Sequence, residues 1–199
     1  NLVSLIGASG DLLVMSDGIA AKFDGKLDIN VPEVIATGSY SLLLNTTGTA
    51  INQAFTVGGN SRTLTVEAGP FVRIVGSGVS LTIADQVLFG SFGFEQNAER
   101  EVLVQLNNIR AAFSDAGTDI MVFGNGEGVL LLTAAGAAAE LAGDLTIELD
   151  DVSASGSFRL ILNTTPDAVN RTINLTGVEQ TLKVGPGNFI QIIGRGVSL

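Results

Sequence analysis

Gly78–Gln96 reads GVSLTIADQVLFGSFGFEQ, and its spacing decides the fold class. Val79, Leu81 and Ile83 alternate with Ser80 and Thr82. After Ala-Asp-Gln, Leu88, Gly90, Phe92 and Phe94 alternate with Phe89, Ser91, Gly93 and Glu95. A period of two predicts half-buried β-strand, because successive side chains leave a pleated strand on opposite sides. Upstream, Leu27, Ile29 and Val31 lead to a break at Pro32-Glu33, followed by Gly38, Tyr40, Leu42 and Leu44 in the same alternation.

The end of the chain repeats the beginning. Ser41–Gln53, SLLLNTTGTAINQ, returns as Arg159–Arg171, RLILNTTPDAVNR. At an offset of 118 (Gly156 against Gly38), residues 1–81 align with 119–199 without a gap, and 32 of the 81 pairs are identical. The identities include Leu44–Thr47 with Leu162–Thr165 and Gly78–Leu81 with Gly196–Leu199. Many others are glycines, such as Gly10, Gly18, Gly25, Gly38, Gly59, Gly69 and Gly76. Shared glycine between diverged copies points to special backbone conformations or close approach. The predicted organisation is therefore one unit over residues 1–118 and a second, truncated copy over 119–199. A weaker half-repeat is expected inside the unit, from the likeness of residues 27–44 to residues 78–96. An array that stops within its repeat is expected to be a window on a longer one.

Turn formers divide the unit evenly: Met15–Gly18, Val31–Glu33, Thr46–Thr49, Gly58–Asn60, Ala68–Pro70, Ala84–Gln86, Gln96–Glu99 and Ser114–Gly117. Eight turns predict about eight strands per unit, with antiparallel neighbours. Leu130–Gly143, LLLTAAGAAAELAG, is alanine-rich enough for a helix. Its aligned counterpart carries Ser16-Asp17-Gly18, so a hairpin is expected in both. The fold expected is all-β: antiparallel β-meander repeats of 118 residues stacked into an elongated rod, with a β-solenoid or a chain of β-sandwiches as alternatives.

Composition excludes several functions. The 199 residues carry 20 acidic and 10 basic side chains, a net charge of −10. No general basic field is present for nucleic acid or anionic lipid. Cysteine, histidine and tryptophan are all missing. That removes disulfides, thiolate chemistry, the commonest general base and the commonest transition-metal ligand. A Ser–Lys pair or two carboxylates would have to serve a catalyst, yet Lys22 aligns with Glu140 and Lys26 with Asp144. No enzymatic activity and no catalytic residue are expected. No apolar run reaches 18 residues, so no transmembrane helix is expected. A lipid-facing barrel would carry Trp and Tyr girdles, and this chain has one Tyr, Tyr40. The chain opens on Asn1 without a signal peptide, as a processed product or an excerpt would.

Four asparagines fit the glycosylation sequon: Asn45, Asn163, Asn170 and Asn174. At Asn45 and Asn163 the same residues suit a turn capped by side-chain hydrogen bonds, which is the preferred reading. Gly7–Asp11 and Gly124–Gly128 look like glycine-rich calcium loops, but Asp11 aligns with Val129 and Glu127 with Ser9. The acid kept in both copies is Glu33 with Asp151, which makes these two the calcium candidates. No other metal and no cofactor is expected. The phenylalanines Phe23, Phe55, Phe71, Phe92, Phe94, Phe158 and Phe189 fall on alternating positions and are expected in the core.

At LNTT…AxN and at Gly78–Gln96 the sequence resembles tandem repeats of very long bacterial extracellular and surface proteins. The resemblance spans essentially the whole chain and implies an exported, adhesin-like or fibre-forming protein at the cell surface or outside it. It carries over no catalytic residue. The expected function is a structural repeat of an extracellular filament or surface fibre, partnered by copies of itself or by neighbouring repeats. Two alternatives stand beside it. One is an adhesin module that binds cell-surface glycans or another ligand. The other is a lipid-conduit β-scaffold, which requires one face to be wholly apolar.

Overall fold

A computed structural model describes residues 3–31, 34–83, 86–115, 117–149 and 151–199. The described residues are all-β, and no helix occurs among them. The strands are β1 (Val3–Met15), β2 (Gly18–Val31), β3 (Val34–Asn45), β4 (Ile51–Val57), β5 (Asn60–Val66), β6 (Phe71–Ile83) and β7 (Gln86–Asn97). They continue with β8 (Val102–Asp115), β9 (Thr118–Thr133), β10 (Gly136–Leu149), β11 (Val152–Asn163), β12 (Val169–Ile173), β13 (Gln180–Val184) and β14 (Phe189–Ser198). The strands end at the turn signals of the sequence. The alanine-rich stretch is the β9–β10 hairpin, with Thr133 opposite Gly136.

Ten strands form one sheet in the order β1-β2-β3-β6-β7-β8-β9-β10-β11-β14, antiparallel throughout and open at both edges. The remaining four do not join it. β4–β5 and β12–β13 are hairpins that leave the sheet after β3 and β11 and fold back over one face. Eight strands, β1 to β8, do precede β9, as the turns predict, but six lie in the sheet and two above it.

The small cores lie beneath these hairpins. Ile51, Leu64 and Val66 bury Ala20 and Phe71 under β4–β5. Leu182, Val184, Ile173 and Leu175 bury Leu103, Val129, Leu131 and Ala138 under β12–β13. Leu64 and Leu182, which align at offset 118, are each almost fully buried. Alanine at the base of each core (Ala20, Ala138) lets the hairpin approach the sheet backbone closely.

Strand boundaries and pairings recur along the chain. β2 starts at Gly18 and β10 at Gly136; β3 ends at Asn45 and β11 at Asn163; β6 starts at Phe71 and β14 at Phe189. Ala20 faces Asn45 as Ala138 faces Asn163, and Ile51 faces Val66 as Val169 faces Val184. Positive-φ residues recur too: Gly7 with Asn125, and Gly78 with Gly196. These sit at or beside register shifts near mid-strand, β-bulges that bend strands too long to stay straight.

Candidate functional site: two sheet faces and the asparagine turns

The Asn-Thr-Thr motif is a load of hydrogen bonds inside a turn. Asn45 is fully buried. Its Nδ2 donates to the carbonyls of Thr49 (2.8 Å) and Glu67 (2.7 Å). Its Oδ1 accepts from the Thr47 backbone N–H (2.9 Å) and hydroxyl (2.8 Å). The Thr46 hydroxyl accepts from the Ile19 N–H at 2.9 Å and closes the start of β2. Asn163 repeats the set with Asp167 (2.9 Å), Gly185 (2.6 Å) and Thr165 (2.8 and 2.7 Å). Thr164 accepts from Ala137 N–H at 2.8 Å. One asparagine thus ties the strand end, the hairpin exit and the return strand together. It has no free amide for a glycan. Gly18 and Gly136 are demanded here, since a Cβ at either would lie within 2.7 Å of Thr46 or Thr164 Oγ1.

A third asparagine, Asn97, builds the β7–β8 turn. Its Oδ1 accepts from Glu99 and Glu101 N–H, and its Nδ2 donates to Glu101 Oε2 at 2.9 Å. The same carboxylate receives Arg171 from the β12–β13 hairpin at 2.7 Å. Burial alone would raise the Glu101 pKa; the bonds from Arg171 and Asn97 outweigh it, and the carboxyl is held below its ordinary value.

The hairpins are fastened differently. On β4–β5, Arg62 reaches Asp11 of β1 at 2.9 Å. On β12–β13 the six residues from Asn174 to Glu179 open into a loop gripped by fully buried Gln105 of β8. Gln105 Oε1 accepts from Leu175 N–H (2.6 Å) and Thr176 N–H (3.1 Å), and its Nε2 donates to the Val178 carbonyl (2.6 Å). Leu175 sits over Gly93, where a Cβ would lie 2.3 Å from its own. The period-two pattern of β8 did not single out Gln105. The one available signal was a glutamine at a position facing valine and glycine neighbours.

The two faces of the sheet differ in chemistry. Cross-strand partners place Gly10, Phe23, Leu42, Ile74, Phe94, Val104, Leu130, Ala139, Leu162 and Ile190 in one row across all ten strands. Every member is apolar. The next row toward mid-strand runs Gly25, Tyr40, Gly76, Phe92, Leu106, Gly128, Leu141, Leu160, Ile192. Rings lie across glycines here: a Cβ on Gly76 would meet the Phe92 ring at 2.5 Å, and one on Gly10 the Phe23 ring at 2.0 Å. Tyr40 and Phe92 meet edge to face at 6.1 Å. The hairpins lie on the other face, whose neighbouring row is Ser9, Asp24, Ser41, Val75, Gly93, Gln105, Val129, Glu140, Ile161, Gln191.

Charge follows the hairpin face. Arg73 donates to Glu95 (2.7 Å) and Glu67 (2.8 Å) and lies 4.9 Å from the Phe71 ring centroid. Glu140 pairs with Arg159 at 2.6 Å. Burial opposes the charge on Arg73, yet the two carboxylates raise its pKa. Asn125 and Ser157 hold the Asp144 carboxyl below its usual range.

Among the described residues, no strand folds over the apolar face to cover it. The expectation that all seven phenylalanines are core is therefore corrected. Phe71 is buried under a hairpin, but Phe23 and Phe94 remain 43% and 37% exposed, on the face that no described strand covers. Phe94 packs beside Ile74, and Phe92 over Gly76.

Of the calcium candidates, Glu33 lies outside the described residues. Asp151 is exposed at the β10–β11 turn, beside an open recess it shares with Asp115 and Glu148. No group of three or more acids, His or Cys placed to hold a metal occurs among the described residues. Asn170 and Asn174 are exposed. No helix of the described residues is long and apolar enough to cross a membrane. Compared with known proteins, the chain matches no protein-family model, no curated protein and no solved structure.

Proposed function

We propose that the chain is a non-catalytic structural segment of an extracellular, surface-associated β-fibre, assembled from 118-residue units over residues 1–118 and 119–199. The observation that carries this reading is the recurrence of strand boundaries and pairings at offset 118 in a sheet open at both edges. β7 and β8 complete the first six-strand set and join it to the four sheet strands of the second copy, β9, β10, β11 and β14, without interrupting the antiparallel order. A sheet of this kind extends by adding strands at β14 or before β1, where one side of each strand carries unpaired N–H and C=O groups. Each unit advances the sheet by six strands and leaves one hairpin on its polar face. The partners are then neighbouring units or copies of the chain. Asn45, Asn163, Asn97 and Gln105 each make three or four side-chain hydrogen bonds, and all four fasten turns or loops, which suits a scaffold.

Electron microscopy of the native material tests this. Elongated objects with an axial period are expected. Compact, discrete particles from intact chains would contradict it and favour a binding module. The apolar face supports a second reading, a scaffold that carries acyl chains along the sheet.

A further inference from the structure

We propose that the apolar face is the seat of a second copy of the chain, packed face to face so that two sheets form a sandwich with both hairpin sets outside. This rests on the extended-sheet reading and adds its lateral partner.

Area is the first argument. Ten strands about 4.8 Å apart span about 48 Å. A third row on this face, Leu12, Ala21, Leu44, Val72, Gln96, Val102, Leu132 and Ala137, is apolar except at Gln96. Three such rows cover roughly 20 Å along the strands, so two copies would bury about 1,900 Å², above the roughly 1,600 Å² of a standard stable interface. A monomer rarely leaves an apolar patch of such size in water.

Shape is the second. At the β1–β6 end the face sinks into a recess of about 490 Å³ whose apolar lining includes Gly10, Phe23, Tyr40, Leu42 and Ile74. At the far edge Ile190 and Ile192 of β14 stand 70% and 71% exposed. A two-fold axis parallel to the strands brings β14 of each copy over β1–β3 of the other, ridge against recess at both ends. That is the self-complementarity an isologous pair requires.

A lipid fits the face less well. Tyr40 lies at mid-strand, not in a girdle at the strand ends. An acyl chain lying on an open sheet would also keep its outer side in water, whereas a second sheet covers every row.

The test uses the whole chain. Sedimentation velocity should give particles with an even number of 20.4 kDa chains, two where no edge addition occurs, and I74K/L160K should halve that number with unchanged circular dichroism. Because the chain has no cysteine, introduced thiols are unique. F23C mixed with I192C should cross-link under mild oxidation, and S39C, on the hairpin face, should not. This second measurement needs no charged variant to fold. A single-chain wild type overturns the proposal. So does a dimer that survives I74K/L160K, or one that cross-links only through S39C. Uptake of phosphatidylcholine vesicles by the single chain in place of self-association also overturns it, and assigns the face to acyl chains. Failure here leaves strand addition at the sheet edges untouched, since that is read from object length and lamination from thickness.

Discussion

The side-chain oxygen of Gln105 accepts the backbone N–H of Leu175 at 2.6 Å, seventy residues further along the chain. Glutamine is suited to this position because one amide offers both an acceptor and a donor. The loop it grips has orphan N–H groups at Leu175 and Thr176 and an orphan carbonyl at Val178. Gln105→Leu would keep the volume and lose all three bonds. Leaving buried backbone groups unpaired costs about 1–3 kcal/mol. The expected result is destabilisation of that order in urea unfolding, with faster hydrogen exchange at Leu175 and Thr176 and little change in β4–β5. Unchanged exchange at those two amides would contradict the role assigned to Gln105.

Asn45 and Asn163 should behave alike. Asn45→Ala and Asn163→Ala each strand the same four partners, and a loss of about 1–3 kcal/mol is expected from either. Expression in a glycosylating host should leave both sites unmodified in folded protein while Asn170 and Asn174 stay accessible. Glycan mapping by mass spectrometry checks this.

These turns also show how much could be read beforehand. The recurrence of Asn-Thr-Thr at offset 118 was plain in the sequence, and so was its turn chemistry, because Asn and Thr bond locally to their own backbone. The alternation in Gly78–Gln96 was equally plain. Period two, however, assigns residues to two faces without saying whether anything covers either face. Phe23 and Phe94 therefore read as core, although their face is apolar and open. Nor does a turn signal tell whether the next strand joins the sheet. β4 and β5 have the same turns as their neighbours, and only the short reach from Asn45 to Phe71, closed by the asparagine, lifts them out of the sheet. Nothing local in the sequence marks Gln105, because its partners lie seventy or more residues away.

Low pH should loosen the second hairpin. The Glu101 carboxyl titrates below its ordinary value in the folded chain. Its contribution is therefore fully present above the unfolded value, about 4.3, and is lost as pH falls through the lower folded value. Arg171→Gln removes the partner. The melting temperature of this variant should lie below wild type at pH 7, and the gap should shrink toward pH 3. A gap that stays constant or widens in acid would contradict the ion pair's role.

Phe92 is half-buried, its ring spread across Gly76. Phe92→Ala should cost about 1–3 kcal/mol, less than the roughly 3–5 kcal/mol of a fully buried ring. Gly76→Val should be worse tolerated than Val75→Thr, since its side chain would displace that ring. Chemical denaturation of the three variants checks the order.

The most direct measurement of the extensible sheet is its growth per unit. Six sheet strands at about 4.8 Å predict an advance of about 29 Å for every 118 residues added, against about 38 Å if all eight strands lay in the sheet. Chains carrying one and two further copies of the unit can be compared by small-angle scattering or electron microscopy. The account predicts equal increments of about 29 Å in length at constant cross-section. Particles that instead grow in all directions, or whose length does not change with added units, would contradict it.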